Sequence, residues 1–417
     1  MVYSKNATPN AWRKVRIGDI CEITSSKRIF ANEYRDFGIP FYRSKEIIEK
    51  QAGKNVSTEL YIEESRYKEI KERFGAPQEG DILLTSVGTL GVPYVVGKED
   101  FYFKDGNLTW LRKFKETDST YIYYWLLSPL GKAQIDQKSI GSTQKALTIE
   151  ALLKFEIDLP DLQTQQTISA ILSAIDAKIS NGRAINHRLE QMAQAIFKSW
   201  FVDFEPWGGV MPNNWQDSHL DSFISFQEGP GIRNWQYVPK DGVKFINIRC
   251  IQDGDLHLDT ANMISCEETK GKYSHFMLNE WDIVVSTSGT LGRYAIVRKE
   301  HLPLCLNTSV IRFMPKRMFS DFSYILSYLT SAEFFEHLQT KASGSVQANF
   351  GPMHLRQIKM LIPSDDVLLE YHKAVFPLTK KIVHNRCESQ NLSVFRNTLL
   401  SRLMSGEISV SAFGSKR

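Results

Sequence analysis

Several features that would sort the chain into a catalytic, membrane or secreted class are missing. The five cysteines, Cys21, Cys250, Cys266, Cys305 and Cys387, are scattered, odd in number and never spaced as Cys-x-x-Cys, which argues against both a disulfide framework and a zinc site. No stretch approaches the roughly 18 uninterrupted apolar residues of a membrane span, and Met1 to Lys14 carries no apolar signal-peptide core. A soluble, cytoplasmic protein is expected. Neither Gly-x-Gly-x-x-Gly nor Gly-x-x-x-x-Gly-Lys-Ser/Thr occurs, so no dinucleotide fingerprint or ATP cradle is visible. The nine histidines form no His-x-x-x-His or His-x-x-Glu-His set, and no metal is expected.

The balance of charge is also thin. Lys+Arg 51 against Asp+Glu 47 leaves a formal +4, compatible with local basic patches but too small to demand a polyanionic partner. Glu69-Ile70-Lys71 has the Glu-x-Lys form of some metal nucleases, yet it sits in the charged run Glu63 to Lys71 and reads as a solvated helix laced with i,i+4 pairs. With 417 residues and 42% hydrophobic content, the chain can build two or three ordinary cores at roughly 100 to 200 residues per domain.

What is present is a duplication. Laying the first half on the second at a near-constant offset brings Trp12 onto Trp215, Gly141-Ser142 onto Gly344-Ser345, Gln144 onto Gln347, Pro160 onto Pro363 and Leu189 onto Leu392. With small drifts, Asp81-Ile82 matches Asp282-Ile283, and Gly88-Thr89-Leu90-Gly91 recurs as Gly289-Thr290-Leu291-Gly292. Two long copies make a pseudo-dimer, unlike the short stacked units of a solenoid. A pseudo-dimer suits a target with two halves, such as duplex DNA.

Each half opens with short strand patterns broken by Gly, Pro and Asn and closes with a long helical pattern, giving heads at 1–160 and 207–363 and helices at 161–206 and 364–417. Tyr61 to Phe74 predicts a surface helix stopped by Gly75 and Pro77. A buried strand at Asp81 to Thr85, a turn at Val87 to Gly91 and a strand at Val92 to Val96 follow, matched by Asp282 to Val285, Ser288 to Gly292 and Tyr294 to Val297. The fold class is α+β: two similar α/β globular heads, related by a pseudo-two-fold internal repeat and separated by two long helices.

From Thr164 the pattern is heptad. The first seam runs through Leu172, Ile175, Ile179, Gly182, Asn186, Leu189, Ala193, Ile196 and Trp200, the second through Val375, Leu378, Ile382, Asn385, Ser389, Leu392, Arg396, Leu399 and Leu403. Each is apolar near its ends and small or polar in the middle, and polar seam positions specify register at some cost in stability. Parallel and antiparallel pairing both align the middle patches; an antiparallel coiled coil is expected because it alone carries the heads to opposite ends. The alternative is that each helix packs only on its own head. A helix of about 35 residues is roughly 50 Å long, a ruler longer than one DNA turn of about 34 Å.

These residues carry a family likeness. Over essentially its whole length the chain resembles the specificity subunit of type I restriction-modification enzymes. The likeness is clearest at Ile196-Phe197-Lys198-Ser199-Trp200-Phe201-Val202-Asp203-Phe204-Glu205-Pro206, at the strands Gly80 to Leu83 and Trp281 to Val284, and in Gly141 to Leu152 and Gly344 to Leu355. Trp281 departs from the glycine that the pattern and Gly80 place before Asp, which puts that turn in question. The resemblance implies two target recognition domains reading the halves of a split, asymmetric double-stranded DNA site, and helices that dock two modification subunits. It further implies restriction subunits joining through the complex, and S-adenosylmethionine, ATP and Mg held by partners only. The chain has no Pro-Pro, and so lacks the Asp/Asn-Pro-Pro-aromatic loop of an adenine methyltransferase. The alternatives are a self-sufficient enzyme with an unrecognised site and a protein scaffold without DNA contact.

Reading bases in the major groove takes forked donors and amides, and phosphates take hydroxyls, lysines and backbone amides. Three loops in each half supply them. The first is Arg43-Ser44-Lys45, matched by Asn247-Ile248-Arg249 after the shared Phe41 and Phe245. The second is the Gly-Thr-Leu-Gly turn (Thr89, Thr290) with its preceding Ser86 and Thr287; its glycines also fit a plain tight hairpin. The third is Gly141-Ser142-Thr143-Gln144-Lys145, matched by Gly344-Ser345-Val346-Gln347. Lys27-Arg28 and Arg233 read as exposed charges that could also touch phosphate. The halves differ most over Tyr34 to Thr58 and Gln227 to Thr260, where specificity is expected. Phe197, Trp200, Phe201 and Trp207 either fix the helix to the next domain or meet a methyltransferase subunit.

Overall fold

The computed structural model describes residues 12–139, 145–288, 291–342 and 350–410. Two compact units emerge: Met1–Ser180 with Gln390–Arg417, and Asn181–Ser389. Both are α+β, and each contains part of both long helices, Leu162–Phe201 (central) and Asp365–Met404 (C-terminal).

The first unit is built on a four-stranded antiparallel sheet in the order Glu22–Thr24, Leu108–Arg112, Ile82–Thr85, Pro93–Val95. Its central strand Ile82–Thr85 is buried at every position, as the unbroken apolar run demands. A second sheet sets Tyr61–Ile62 beside Ile39–Tyr42, which pairs parallel with Tyr102–Phe103. The helix expected from Tyr61 therefore begins at Glu64; Tyr61 and Ile62 instead pair with Pro40 and Ile39, a use suited to an aromatic and a β-branched residue. The ribbon Arg13–Arg16 with Glu156–Leu159 completes the head.

The second unit repeats this frame. Its main sheet runs Ile224–Glu228, Val310–Pro315, Ile283–Ser286, Tyr294–Ile296, and its ribbon is Gln216–His219 with Lys359–Ile362. Phe41 and Phe245 occupy matching places in the second sheets, paired in parallel with Tyr102 and Cys305. The second head adds the edge strand Tyr237–Val238 and a hairpin, Ile251–Gln252 with Asp255–Leu256. Asp253 (φ 51) and Gly254 (φ 75) form its turn, as an Asp-Gly pair between strands should.

Matching turns precede the central strands. Gly80 (φ 88) and Trp281 (φ 71) both lie in the left-handed region, donating to Val96 and Val297 carbonyls at 2.9 Å. The turn that the tryptophan put in question is thus kept. A tryptophan there is strained, and its ring is spent on packing, with centroids 5.2 to 6.3 Å from Phe376, Phe322 and Phe319.

The central helix starts where Asp161 accepts from Thr164 N at 2.9 Å and Thr164 Oγ1 at 2.8 Å, an N-terminal cap that also holds the Asp161 carboxyl below its ordinary pKa. In the first unit Ile168 and Leu172 share a core with Leu400, Leu403 and Met404, and Arg396 donates to Asp176 at 2.6 Å. In the second unit Asn385 Nδ2 donates to Asn186 Oδ1 at 2.8 Å, Asn186 Nδ2 to the Ile382 carbonyl at 3.2 Å, and Arg386 to Glu190 at 2.7 Å. A Cβ on Gly182 would lie 3.1 Å from Ser389 Oγ. Partners descend one helix as they ascend the other, so within each unit the segments pair antiparallel, and the polar middle patches meet.

The seam drifts from a strict heptad. Leu172, Ile179, Val375 and Ile382 are buried, whereas Ile175, Leu189, Ile196, Leu378, Leu392 and Leu399 are half-buried. Phe197, Thr379 and Leu400 take the inner places beside Ile196, Leu378 and Leu399. A helix of 3.6 residues per turn outruns a period of 3.5, and packing of each head on the helices widens the buried face. In the second unit Phe197 and Phe201 lie in the head's core, with Trp200 and Trp207 against it. These aromatics fix the helix to the head that follows.

Candidate nucleic-acid interface

In the first head, stretches far apart in sequence are drawn together by hydrogen bonds to backbone carbonyls. Ser44 Oγ donates to the Asn107 carbonyl at 3.3 Å, and Ser86 N donates to the same oxygen at 2.8 Å. Val87 bridges to Ala146, with Leu147 N on the Ser86 carbonyl at 2.9 Å. The loops at Arg43–Lys45, Ser86–Thr89 and Lys145 therefore converge. Between the first two lies a cleft of about 460 Å³, lined by Ser44, Lys45, Ile48, Val87, Thr89 and Asn107 among others. Gly88 (φ 79) turns the chain at its rim, where an added Cβ would meet no neighbour within 4 Å.

The individual side chains divide sharply. Arg43 is occupied: Nη2 is 2.7 Å from Glu46 Oε1 and its backbone N 2.7 Å from Oε2. Glu46 is fully buried. Burial pushes the Glu46 carboxyl up, but the Arg43 guanidinium and backbone N–H outweigh it and hold the carboxyl below its ordinary value. Ser86 is buried, 2.5 Å from Thr109 Oγ1 and donating to the Leu84 carbonyl at 3.2 Å. Lys45, Thr89 and Lys145 are exposed. Ser142 and Gln144 lie outside the described residues.

The second head repeats part of the convergence. Thr287, itself buried, receives Phe350 N on its carbonyl at 3.2 Å and donates its N–H to the Ser309 carbonyl at 3.1 Å. Asn247 caps its turn by accepting from Arg249 N at 2.9 Å, and the exposed Arg249 holds Nε 3.5 Å from the same oxygen. Thr290, Ser345 and Gln347 lie outside the described residues.

Of the flanking charges, Arg28 pairs with Asp105 at 2.7 Å, Lys27 sits over the Phe74 ring at 5.1 Å, and Arg233 is exposed. Glu69 is engaged by Arg66 at 2.7 Å and Arg73 at 3.2 Å, the ion-paired helix its surroundings suggested. Exposed aromatics escaped the sequence reading, among them Phe30, Phe37 and Trp235. Phe37 and Trp235 fall in the segments where the halves diverge. Asn107 was also missed, because nothing in the duplication singles it out. Among the described residues no group of three or more His, Cys, Asp or Glu could hold a metal ion, and no helix is long and apolar enough to cross a membrane.

Two α+β heads, each drawing polar segments together beside its central strand and each set on antiparallel helix segments, define a double-headed recognition scaffold. The chain belongs to the family described as the type I restriction modification DNA specificity domain, whose model matches residues 9–191 and again 212–383. It is 25% identical, over 96% of this chain and 94% of the relative, to the type I restriction enzyme MjaIX specificity subunit of Methanocaldococcus jannaschii. It is 24% identical, over 65% of this chain and 73% of the relative, to the HindI specificity subunit of Haemophilus influenzae. The crystal structure of a type I restriction-modification S subunit from M. genitalium shares the fold, with a TM-score of 0.57 at 16% identity, covering 95% of this chain and 97% of that one.

Proposed function

We propose that the chain is the sequence-reading and assembling subunit of a type I restriction-modification enzyme. It binds duplex DNA at a split site whose halves are unlike, one for each head, and catalyses nothing itself. The observation that carries this reading is the double match of a DNA specificity domain, one copy to each head, on a chain whose loop convergence is likewise built twice. The paired helices set the gap between the half-sites and dock two modification subunits, one for each half of the duplication. Restriction subunits join through that complex in the cytoplasm. S-adenosylmethionine, ATP and Mg belong to the partners. Exposed Lys45, Thr89, Lys145 and Arg249 are assigned to contacts with DNA, together with Ser142, Gln144, Thr290, Ser345 and Gln347, while Arg43, Ser86 and Thr287 shape the loops that carry them.

Reconstitution tests this. The chain with its modification subunits should methylate adenine-N6 within a split sequence, and the chain alone should transfer no methyl groups. Affinity for DNA should fall steeply with salt as counterions are displaced from phosphates. Methyl transfer by the isolated chain would refute the non-catalytic assignment.

A further inference from the structure

Asn107 is held in place by its backbone and left unused by its side chain. Its carbonyl oxygen accepts from Ser44 Oγ at 3.3 Å and from Ser86 N at 2.8 Å, which pins the residue between two of the converging loops. Its carboxamide makes no hydrogen bond among the described residues, although it lines the 460 Å³ cleft with Lys45 and Thr89 at the rim. The other polar groups nearby are committed, Arg43 to Glu46, Ser86 to Thr109, and Glu49, which also lines the cleft, to Ser57 at 3.2 Å and to Lys45 at 3.9 Å.

The second head treats the same place differently. Ser309 takes the position of Asn107, accepting Thr287 N as Asn107 accepts Ser86 N. Its hydroxyl is turned inward onto Asn307 Oδ1 at 3.1 Å, and its own N–H donates to the same oxygen at 3.0 Å. The second head thus ties an amide into its own turn, whereas the first leaves one without a hydrogen-bond partner among the described residues at the wall of the cleft.

The geometry points to Asn107 as the residue with which the first head reads an adenine of its half-site. An asparagine carboxamide donates to adenine N7 and accepts from the N6 amino group, a pair that only adenine presents in the major groove. Because the backbone is anchored from two sides, only side-chain freedom is lost when the amide engages. Lys45 and Thr89 at the rim fall where phosphate contacts would steady the duplex. This inference rests on the chain being a DNA specificity subunit.

The test profiles methylation by the complex of the full chain with its modification subunits over a library of random duplexes. The wild-type complex should return a split site. Asn107→Ala should admit other bases at one adenine of one half only, discrimination there falling roughly 10- to 100-fold, with the other half unchanged. Independently of how that variant folds, 7-deazaadenine placed in turn at each adenine of the site should, at one position, lower methylation by the wild-type complex by a similar factor. An unchanged Asn107→Ala profile, an equal loss on every sequence as a phosphate contact gives, or tolerance of 7-deazaadenine at every position overturns the inference while leaving split-site recognition standing. A wild-type complex that returns no split site overturns DNA reading by the chain.

Discussion

The two heads share a hydrogen-bonded frame and fill it with different chemistry. Just before the central strand of each, a buried aspartate caps the preceding turn, Asp81 accepting from Gln78 N at 2.9 Å and Asp282 from Asn279 N at 2.7 Å. Across the sheet, Leu83 faces Trp110 and Val284 faces Arg312. Asp81 therefore accepts from an indole at 2.8 Å, and Asp282 lies 3.4 Å from a guanidinium. A second exchange sits under matching serine caps: Ser128 accepts from Gly131 N and Ser331 from Phe334 N. Glycine lets one helix lie on the Trp125 and Leu126 backbone, where the other head inserts a buried phenylalanine against Phe313 and Tyr328. Backbone geometry is what the duplication has kept, and each interior is packed afresh on it. Loops carried by such a frame can differ between heads without cost to the fold.

Removing the shared aspartate should separate the heads most clearly. Asp282→Ala strands Arg312, whose side chain is 9% exposed, with Gln227 and the Met277 and His275 carbonyls as its remaining partners among the described residues. An unneutralised buried charge costs about 3–5 kcal/mol. Asp81→Ala orphans only neutral donors, worth about 1–3 kcal/mol. Denaturant unfolding of each variant gives the comparison, and equal losses would show that indole and guanidinium are interchangeable here.

The interiors should fail in opposite senses. Phe334→Ala opens a cavity in the second head, at about 3–5 kcal/mol. Gly131→Ala sets a methyl 2.3 Å from the Trp125 carbonyl oxygen, and overpacking against backbone costs about 1–3 kcal/mol. A Gly131→Ala variant as stable as the parent would mean that the first head's helices have room to separate.

Much of this was legible in the sequence, and what was not has physical causes. The duplication, the presence of two long helices and the meeting of Asn186 with Asn385 followed from periodicity, because matching interruptions of two apolar seams mark the polar side chains that face each other; the C-terminal helix, expected over 364–417, ends at Met404. The strand at Tyr61 did not follow, since two β-favouring residues beside a charged run match either reading. Arg43 looked like a base reader because a sequence does not reveal that Glu46, three residues on, is buried and needs a cation. Asn107 stayed hidden for the converse reason: the role proposed for it rests on a carboxamide with no hydrogen-bond partner among the described residues.

Acid should loosen one unit before the other. All nine histidines lie between 187 and 384, within the second unit. His301 accepts from Arg298 N at 3.1 Å through Nδ1, and its Nε2 lies 2.8 Å from Arg298 Nη2 and 3.6 Å from Asp255 Oδ1. Burial first, then the Arg298 charge, lowers its pKa from 6.5 to about 4. Between those values the unfolded chain binds a proton that the folded one refuses, so stability present above pH 6.5 is lost as pH falls towards 4. At pH 5 the loss is about 2 kcal/mol, and His301→Gln should remove it. Hydrogen exchange at pH 7 and pH 5 should find the change in the second unit alone; equal loosening of both would place its origin elsewhere.

The smallest effect is also the most discriminating, because it inverts an ordinary rule. Gly80 and Trp281 hold the same left-handed turn, so Gly80→Ala should cost about 1–2 kcal/mol through its Cβ. At Trp281 strain and packing oppose one another. Trp281→Ala gives up the ring contacts with Phe319, Phe322 and Phe376 and keeps the strained φ, whereas Trp281→Gly gives up the same contacts and relieves it. In helices and strands glycine is worse than alanine by roughly 0.5–1 kcal/mol; here it should be better, by about 1 kcal/mol. If unfolding midpoints instead rank Trp281→Ala above Trp281→Gly, the second head does not carry the strained copy of the first head's turn.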